Sequence, residues 1–258
     1  MSVAYAPRGL VGVLTPQANT TVEPELAILT PPGHAFLNAR LMSDKGTIPD
    51  RLRDYFDHYG EAARQFANAP VGAIGYACTG ASYLAGVDRE DATLAALTEE
   101  TGIPAITAAT AVVDALQALG ARRIALLSPY DDALDDASAF YWSARGLDVV
   151  ARTSTFAESD AFHPIYSMTV SGVEQALGRV ADAGAEAIVM LGTGMPTLQP
   201  IARHPRVGDA VLLSCMSCLV WRLYLAARSE APRRDNLLAF HDDSAWRDRL
   251  AHWFDTPF

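Results

Sequence analysis

The stretch Ala73-Ile-Gly-Tyr-Ala-Cys-Thr-Gly80 decides the reading of this chain, because it returns 114 residues later as Ala187-Ile-Val-Met-Leu-Gly-Thr-Gly194. Each copy is a short apolar run that ends in a small-residue turn, the signature of a buried strand leading into a helix. Working outward, Val11-Gly-Val-Leu-Thr-Pro16 is matched by Ile124-Ala-Leu-Leu-Ser-Pro129 at almost the same offset, 113 residues. Two matches at one spacing point to an internal duplication. Apolar runs at 10–14, 71–76, 123–127, 187–191 and 210–213 read as strands, and helical periodicity fills 48–68, 89–101, 110–119 and 169–183 between them. Short buried strands alternating with helices predict an α/β fold of two pseudo-symmetric lobes, each a parallel sheet flanked by helices. The first lobe is expected to hold residues 1–112 plus 211–258, the latter including a C-terminal extension, and the second lobe residues 113–210.

Duplicated lobes of this kind bind their ligand in the cleft outside the carboxyl ends of the strands. Four loops are then expected to converge there: 15–21, 78–82, 128–131 and 192–197. The offset sets Cys78 opposite Gly192. Cys78 follows a strand and precedes Thr79 and Gly80, so its thiol is expected near backbone N–H groups and a helix start, which favour the thiolate. The loop from Pro16 through Asn19 and Thr20 is dense in uncharged donors that suit a carboxylate. Asn19 or Thr20 could equally cap the helix that follows. Tyr130 ends the strand that matches Val11–Pro16 and can present a phenol. Gly192, Thr193 and Gly194, followed by Met195, resemble a backbone cradle. The run continues Met195-Pro196-Thr197, so the rest of a dinucleotide fingerprint is missing.

Composition narrows the classes. The chain has 258 residues, is half hydrophobic and carries a formal charge of −10, with basic residues scattered, which argues against nucleic-acid binding. No apolar run approaches the roughly 20 residues that span a bilayer, and no signal-like segment opens the chain, so no membrane association and a cytoplasmic location are expected. Three cysteines, an odd number, fit reduced thiols better than a disulfide framework. Six dispersed histidines offer no metal-ligand spacing, so no metal is inferred, and His34, His58, His204, His241 and His252 read as surface residues. Cys215-Met-Ser-Cys218 has the spacing of a redox pair but lies against an apolar stretch and reads better as wall or core. Asp160 and His163 sit in a polar connection that could reach the cleft for acid/base work.

These residues resemble the Asp/Glu racemase superfamily, and within it the branch of maleate cis-trans isomerases and arylmalonate decarboxylases. The likeness runs over the loop from Pro16 to Glu25, the Tyr76-Ala-Cys78 motif, the stretch 102–130 ending at Tyr130, and the turn at 192–198. It implies two lobes with the active site between them and no cofactor. In that family each lobe commonly gives one cysteine; Cys78 matches the first, and the second falls on Gly192. Asn19-Thr20-Thr21 and Tyr76-Ala-Cys78 look like the isomerases, whereas Thr79-Gly-Ala-Ser-Tyr83 is similar to the decarboxylases.

The resulting expectation is a cofactor-independent isomerase of a small unsaturated dicarboxylic acid, with Cys78 as nucleophile and Tyr130 assisting. The substrate carboxylates are expected on Pro16, Asn19, Thr20, Thr79, Gly80, Gly192, Thr193, Gly194 and Met195. One alternative is an arylmalonate decarboxylase-like lyase with Cys78 as sole proton donor. Another is a carboxylate-binding protein without turnover. A homo-oligomer is left open, since the tail 228–258 could cover a lobe or a subunit contact.

Overall fold

The computed structural model describes residues 3–156 and 164–255. Two open sheets carry the architecture. In the first, β1 (Gly9–Pro16) is central and pairs in parallel with β2 (His34–Leu41) and β3 (Ile74–Tyr76), and β3 pairs with β4 (Ala105–Thr107). In the second, β5 (Arg123–Ser128) takes the place of β1, between β6 (Asp148–Ser154) and β7 (Ala187–Met190); β9 (Ala210–Ser214) lies beyond β7, and the short β8 (Arg206–Val207) closes the edge antiparallel. The orders β2-β1-β3-β4 and β6-β5-β7-β9 are the same pattern, which is the topological form of the repeat seen in the sequence. The direction of winding reverses between β1 and β3 and again between β5 and β7. Loops leaving the carboxyl ends of those four strands therefore border the crevice where open parallel sheets bind ligands.

Helices fill the connections. Those of the first half are α1 (Val22–Leu29), α2 (Ile48–Asp57), α3 (Tyr59–Ala63), α4 (Thr79–Ala85), α5 (Val87–Thr101) and α6 (Ala108–Leu119). Those of the second are α7 (Asp132–Ala144), α8 (Val170–Gly178), α9 (Leu198–Arg203), α10 (Cys215–Ala227), α11 (Arg234–His241) and α12 (Ser244–Phe254). The stretch 48–68, expected as one helix, breaks after Asp57 at His58. Local grammar is clear at several ends: Thr107 caps α6 through a reciprocal pair with Thr110, and Ser214 caps α10 in the same way with Ser217.

The chain crosses back to the first sheet later than expected. Residues 211–214 were assigned to the first lobe, but they pair with β7 in the second sheet. The crossing comes only at Ser214, after which α10 packs on β1, α1 and α6. Close approach there is enabled by glycine: a Cβ on Gly75 in β3 would stand 2.6 Å from Leu223 Cδ1 of α10. The segment after 228 forms α11 against α6 and α12 against α1 and α9. Two histidines expected at the surface are buried instead, His34 beside Tyr224 and His241 with its ring nitrogen 2.9 Å from the Leu212 carbonyl. Among the described residues, no helix is long and apolar enough to cross a membrane, and no group of three metal-ligating side chains occurs.

Candidate active site

The loops at the two switch points meet and are stitched by hydrogen bonds between segments far apart in sequence. The Asn19 amide donates to Thr193 Oγ1 at 3.3 Å, Thr193 Oγ1 donates to the Ala77 carbonyl at 2.7 Å, and Thr21 Oγ1 donates to the Gly194 carbonyl at 2.9 Å. Thr79 Oγ1 lies 2.8 Å from the Tyr130 hydroxyl. Behind these contacts, Glu25 of α1 accepts the Thr197 N–H at 2.8 Å and the Thr197 hydroxyl at 3.1 Å at the start of α9. Asn19 also caps the helix that follows, since its Oδ1 accepts the N–H groups of Thr21 and Val22.

A cavity opens between the loops. Of the residues expected from the sequence, Pro16, Asn19, Cys78, Thr79, Gly80, Tyr130, Thr193 and Gly194 line it. Thr20, Gly192 and Met195 do not: Thr20 points to solvent, and Met195 is fully buried near Thr155. Gly192 lies behind the wall. A Cβ there would meet Pro129 Cγ at 2.7 Å, Ile165 Cδ1 at 3.0 Å and the Tyr130 oxygen at 3.1 Å, and its φ of +78° suits glycine alone. Asp160 and His163 lie outside the described residues.

The remaining wall was missed in the sequence. Ala18, Ile48, Arg51, Leu52 and Tyr55 line it from one side, and Ile165 and Tyr166 from the other. Helix α2 reaches the cavity because position 80 is glycine, where a Cβ would come within 2.9 Å of Leu52 Cδ1. Tyr166 approaches for a matching reason, as a Cβ on Gly194 would stand 2.9 Å from its ring. The signal for these residues was weak, because an amphipathic helix shows its buried face without saying whether core or cavity lies beneath it.

Electrostatically the cavity is a set of proton donors. Burial pushes the Cys78 thiol up to about 12, although the Ala81 N–H offers a hydrogen bond that opposes the shift. The expectation of an activated thiolate is therefore corrected: removal from water outweighs the few amides at the start of α4. Burial likewise raises Tyr55 to about 12, with the Cys78 charge adding to the effect, and lifts Tyr130 and Tyr166 well above the usual phenol range. Among the described residues, Arg51 is the one charged side chain lining the cavity. No carboxylate or histidine lines the cavity among the described residues. Among the described residues, this arrangement offers protons and hydrogen bonds to an acid rather than a base.

Fold and cavity together define a protein of two like α/β lobes with a cavity between the carboxyl ends of its sheets, lined by a buried cysteine. The arylmalonate decarboxylase family model matches residues 11–230, and the chain belongs to that family. Among curated proteins it is 28% identical to the maleate isomerase of Geobacillus stearothermophilus over 151 residues, 54% of this chain and 60% of that protein. It is 24% identical to the maleate isomerase of Alcaligenes faecalis over 248 residues, 89% of this chain and 96% of that one. Among solved structures, the Nocardia farcinica maleate cis-trans isomerase bound to TRIS superposes with a TM-score of 0.76 at 23% identity, covering 92% of this chain and 99% of that chain. An arylmalonate decarboxylase gives 0.70 at 22%, covering 84% and 92%. The sequence-based reading of family and fold class holds.

Proposed function

We propose that the protein is a decarboxylase of malonate-type acids bearing an apolar substituent, with the neutral Cys78 thiol as proton donor. The observation that carries this is the composition of the cavity wall: one thiol, three phenols and an arginine, with no base among the described residues. Loss of carbon dioxide needs no base. The bond between the α-carbon and one carboxylate breaks, its electron pair moves into the remaining carboxyl group as an enediolate, and Cys78 gives its proton to the α-carbon. The thiolate then regains a proton from water. The Tyr130 hydroxyl, receiving the Thr79 proton, and the Asn19 amide hydrogen not given to Thr193 stabilise the charge that gathers on the enediolate oxygens. Ile48, Leu52 and Ile165 present an apolar face in which a departing carboxylate is poorly solvated.

Cis-trans isomerisation, the first expectation from the sequence, is the second reading. It is favoured by the curated relatives and by a solved Nocardia farcinica isomerase variant that carries a covalently bound succinylcysteine intermediate. It requires a Cys78 thiolate, which burial disfavours by pushing the thiol up to about 12. Incubation with phenylmalonate and, separately, with maleate tests the pair. Release of carbon dioxide and phenylacetate supports decarboxylation, whereas fumarate formation without it overturns that reading. Cys78→Ala is expected to lower turnover at least about 100-fold. Binding of these acids with no turnover of either would leave a carboxylate-binding protein.

A further inference from the structure

Strand β2 ends beside the turn that leaves β1, and its side chains hold that turn from behind the cavity. Thr15 is in register with Arg40, and Pro16 with Leu41. Asn38 of β2 accepts the Thr15 hydroxyl at 2.6 Å through Oδ1 and donates through Nδ2 to Glu23 Oε1 at 2.8 Å. Arg40 lies two residues on, hence on the same face of the strand, and its Nη2 pairs with the same Glu23 oxygen. The other amino group, Nη1, donates to the carbonyls of Pro16 and Asn19, each at 3.4 Å. These are the first and last carbonyls of the turn, which is itself closed by the Asn19 N–H donating to the Pro16 carbonyl at 3.0 Å. Just past the strand, the Ser43 N–H donates to the Gln17 side chain at 2.6 Å. Pro16 and Asn19 line the cavity, whereas Arg40 stands outside its wall.

We infer that Arg40 is a positioning residue: its guanidinium clamps the turn 16–19 so that the Asn19 side chain meets the substrate in one fixed place. A planar guanidinium carries five N–H donors in a rigid fork, so it can hold Glu23 on one arm and two carbonyls on the other. Glu23 is fixed by Asn38, and Asn38 by Thr15, which ties the clamp back to the buried strand β1. The Asn19 amide depends on this support. Its Oδ1 accepts from Thr21 and Val22, and one of its amide hydrogens goes to Thr193. The remaining hydrogen points wherever the turn directs it, and a shift of about 1 Å in such a donor can lower a rate about 100-fold. A plain surface ion pair would ask for less. The Arg40 and Glu23 side chains are 36% and 34% exposed, and at that exposure any cation would serve the pair. Only the fork of an arginine can hold both carbonyls as well.

The kinetic consequence rests on the proposed decarboxylation, but the clamp can be measured without a substrate. In Arg40→Met, amide hydrogen exchange at Asn19, Thr21 and Val22 is expected to quicken at least about 10-fold, while Val13 and Leu14 of β1 keep their protection. Arg40→Lys keeps the charge and the pairing with Glu23 but lacks the fork, so the same three amides should quicken in it too. Unchanged exchange there in Arg40→Met, or full protection in Arg40→Lys, overturns the inference. With phenylmalonate as substrate, Arg40→Met is expected to lower kcat about 10- to 100-fold with KM within about twofold, because the held donor acts on charge that gathers only as carbon dioxide leaves. Added guanidinium ion should restore part of the kcat of Arg40→Ala, and ammonium should not. In an Asn19→Ala background Arg40→Met should lower kcat no further; an undiminished loss there would show that Arg40 does not act through Asn19. If the unmodified protein does not turn over phenylmalonate, the decarboxylase reading falls, and the exchange measurement still decides the clamp.

Discussion

At the scale of single residues, the cavity shows how much burial governs reactivity. Cys78 occupies the position a reactive thiol requires, at the end of a strand and the start of a helix, yet the loss of water leaves it a weak acid. Alkylation by iodoacetamide should therefore be slow at pH 7 and rise about tenfold per pH unit up to pH 10 without levelling, since the thiolate fraction keeps growing until the pH nears about 12. A plateau near pH 8 would show an activated thiol and return the isomerase reading to first place. The position and identity of Cys78 were legible in the sequence; its protonation state was not, because strand and helix boundaries say nothing of the apolar and phenolic side chains that arrive from α2 and from residues 165–166.

At the scale of elements, glycine decides what can approach what. Gly75 lets Leu223 of α10 press onto β3. Gly75→Ala is expected to lower stability by about 1–3 kcal/mol through overpacking, measurable by urea unfolding. The strands most visible in the sequence are those buried on both faces, β1, β3, β5, β7 and β9. The pairs at 11–16 and 124–129, and at 73–80 and 187–194, revealed both the repeat and the four site loops. The outer strands β2, β4 and β6 went unseen, since they are half exposed or only a few residues long and so lack the continuous apolar run. Helix α2 was seen as an element, but its four contributions to the cavity depend on a contact with α4 that only tertiary packing reveals.

At the scale of the whole molecule, the two sheets are tied by groups that respond to pH. Glu25 bridges α1 to the start of α9, and its burial lifts its carboxyl to about 7 from 4.5. A carboxyl raised on folding favours the folded state when protonated. Its contribution is complete below about pH 4.5 and is lost as the pH rises through about 7, a change of about 3 kcal/mol. Glu25→Gln, which stays neutral, should be little different from the unmodified protein at pH 5 and clearly more stable at pH 8. Equal melting temperatures at pH 8 would show that Glu25 is no such link. The late crossing of the chain after Ser214 bears on how the molecule is made. During synthesis the first sheet emerges early, but the helix that shields Gly75 and packs on β1 arrives only with residues 215–227, after the entire second sheet. The amino-terminal half must therefore wait with an apolar face uncovered, a span in which it is open to chaperone capture and to mispairing with other nascent chains.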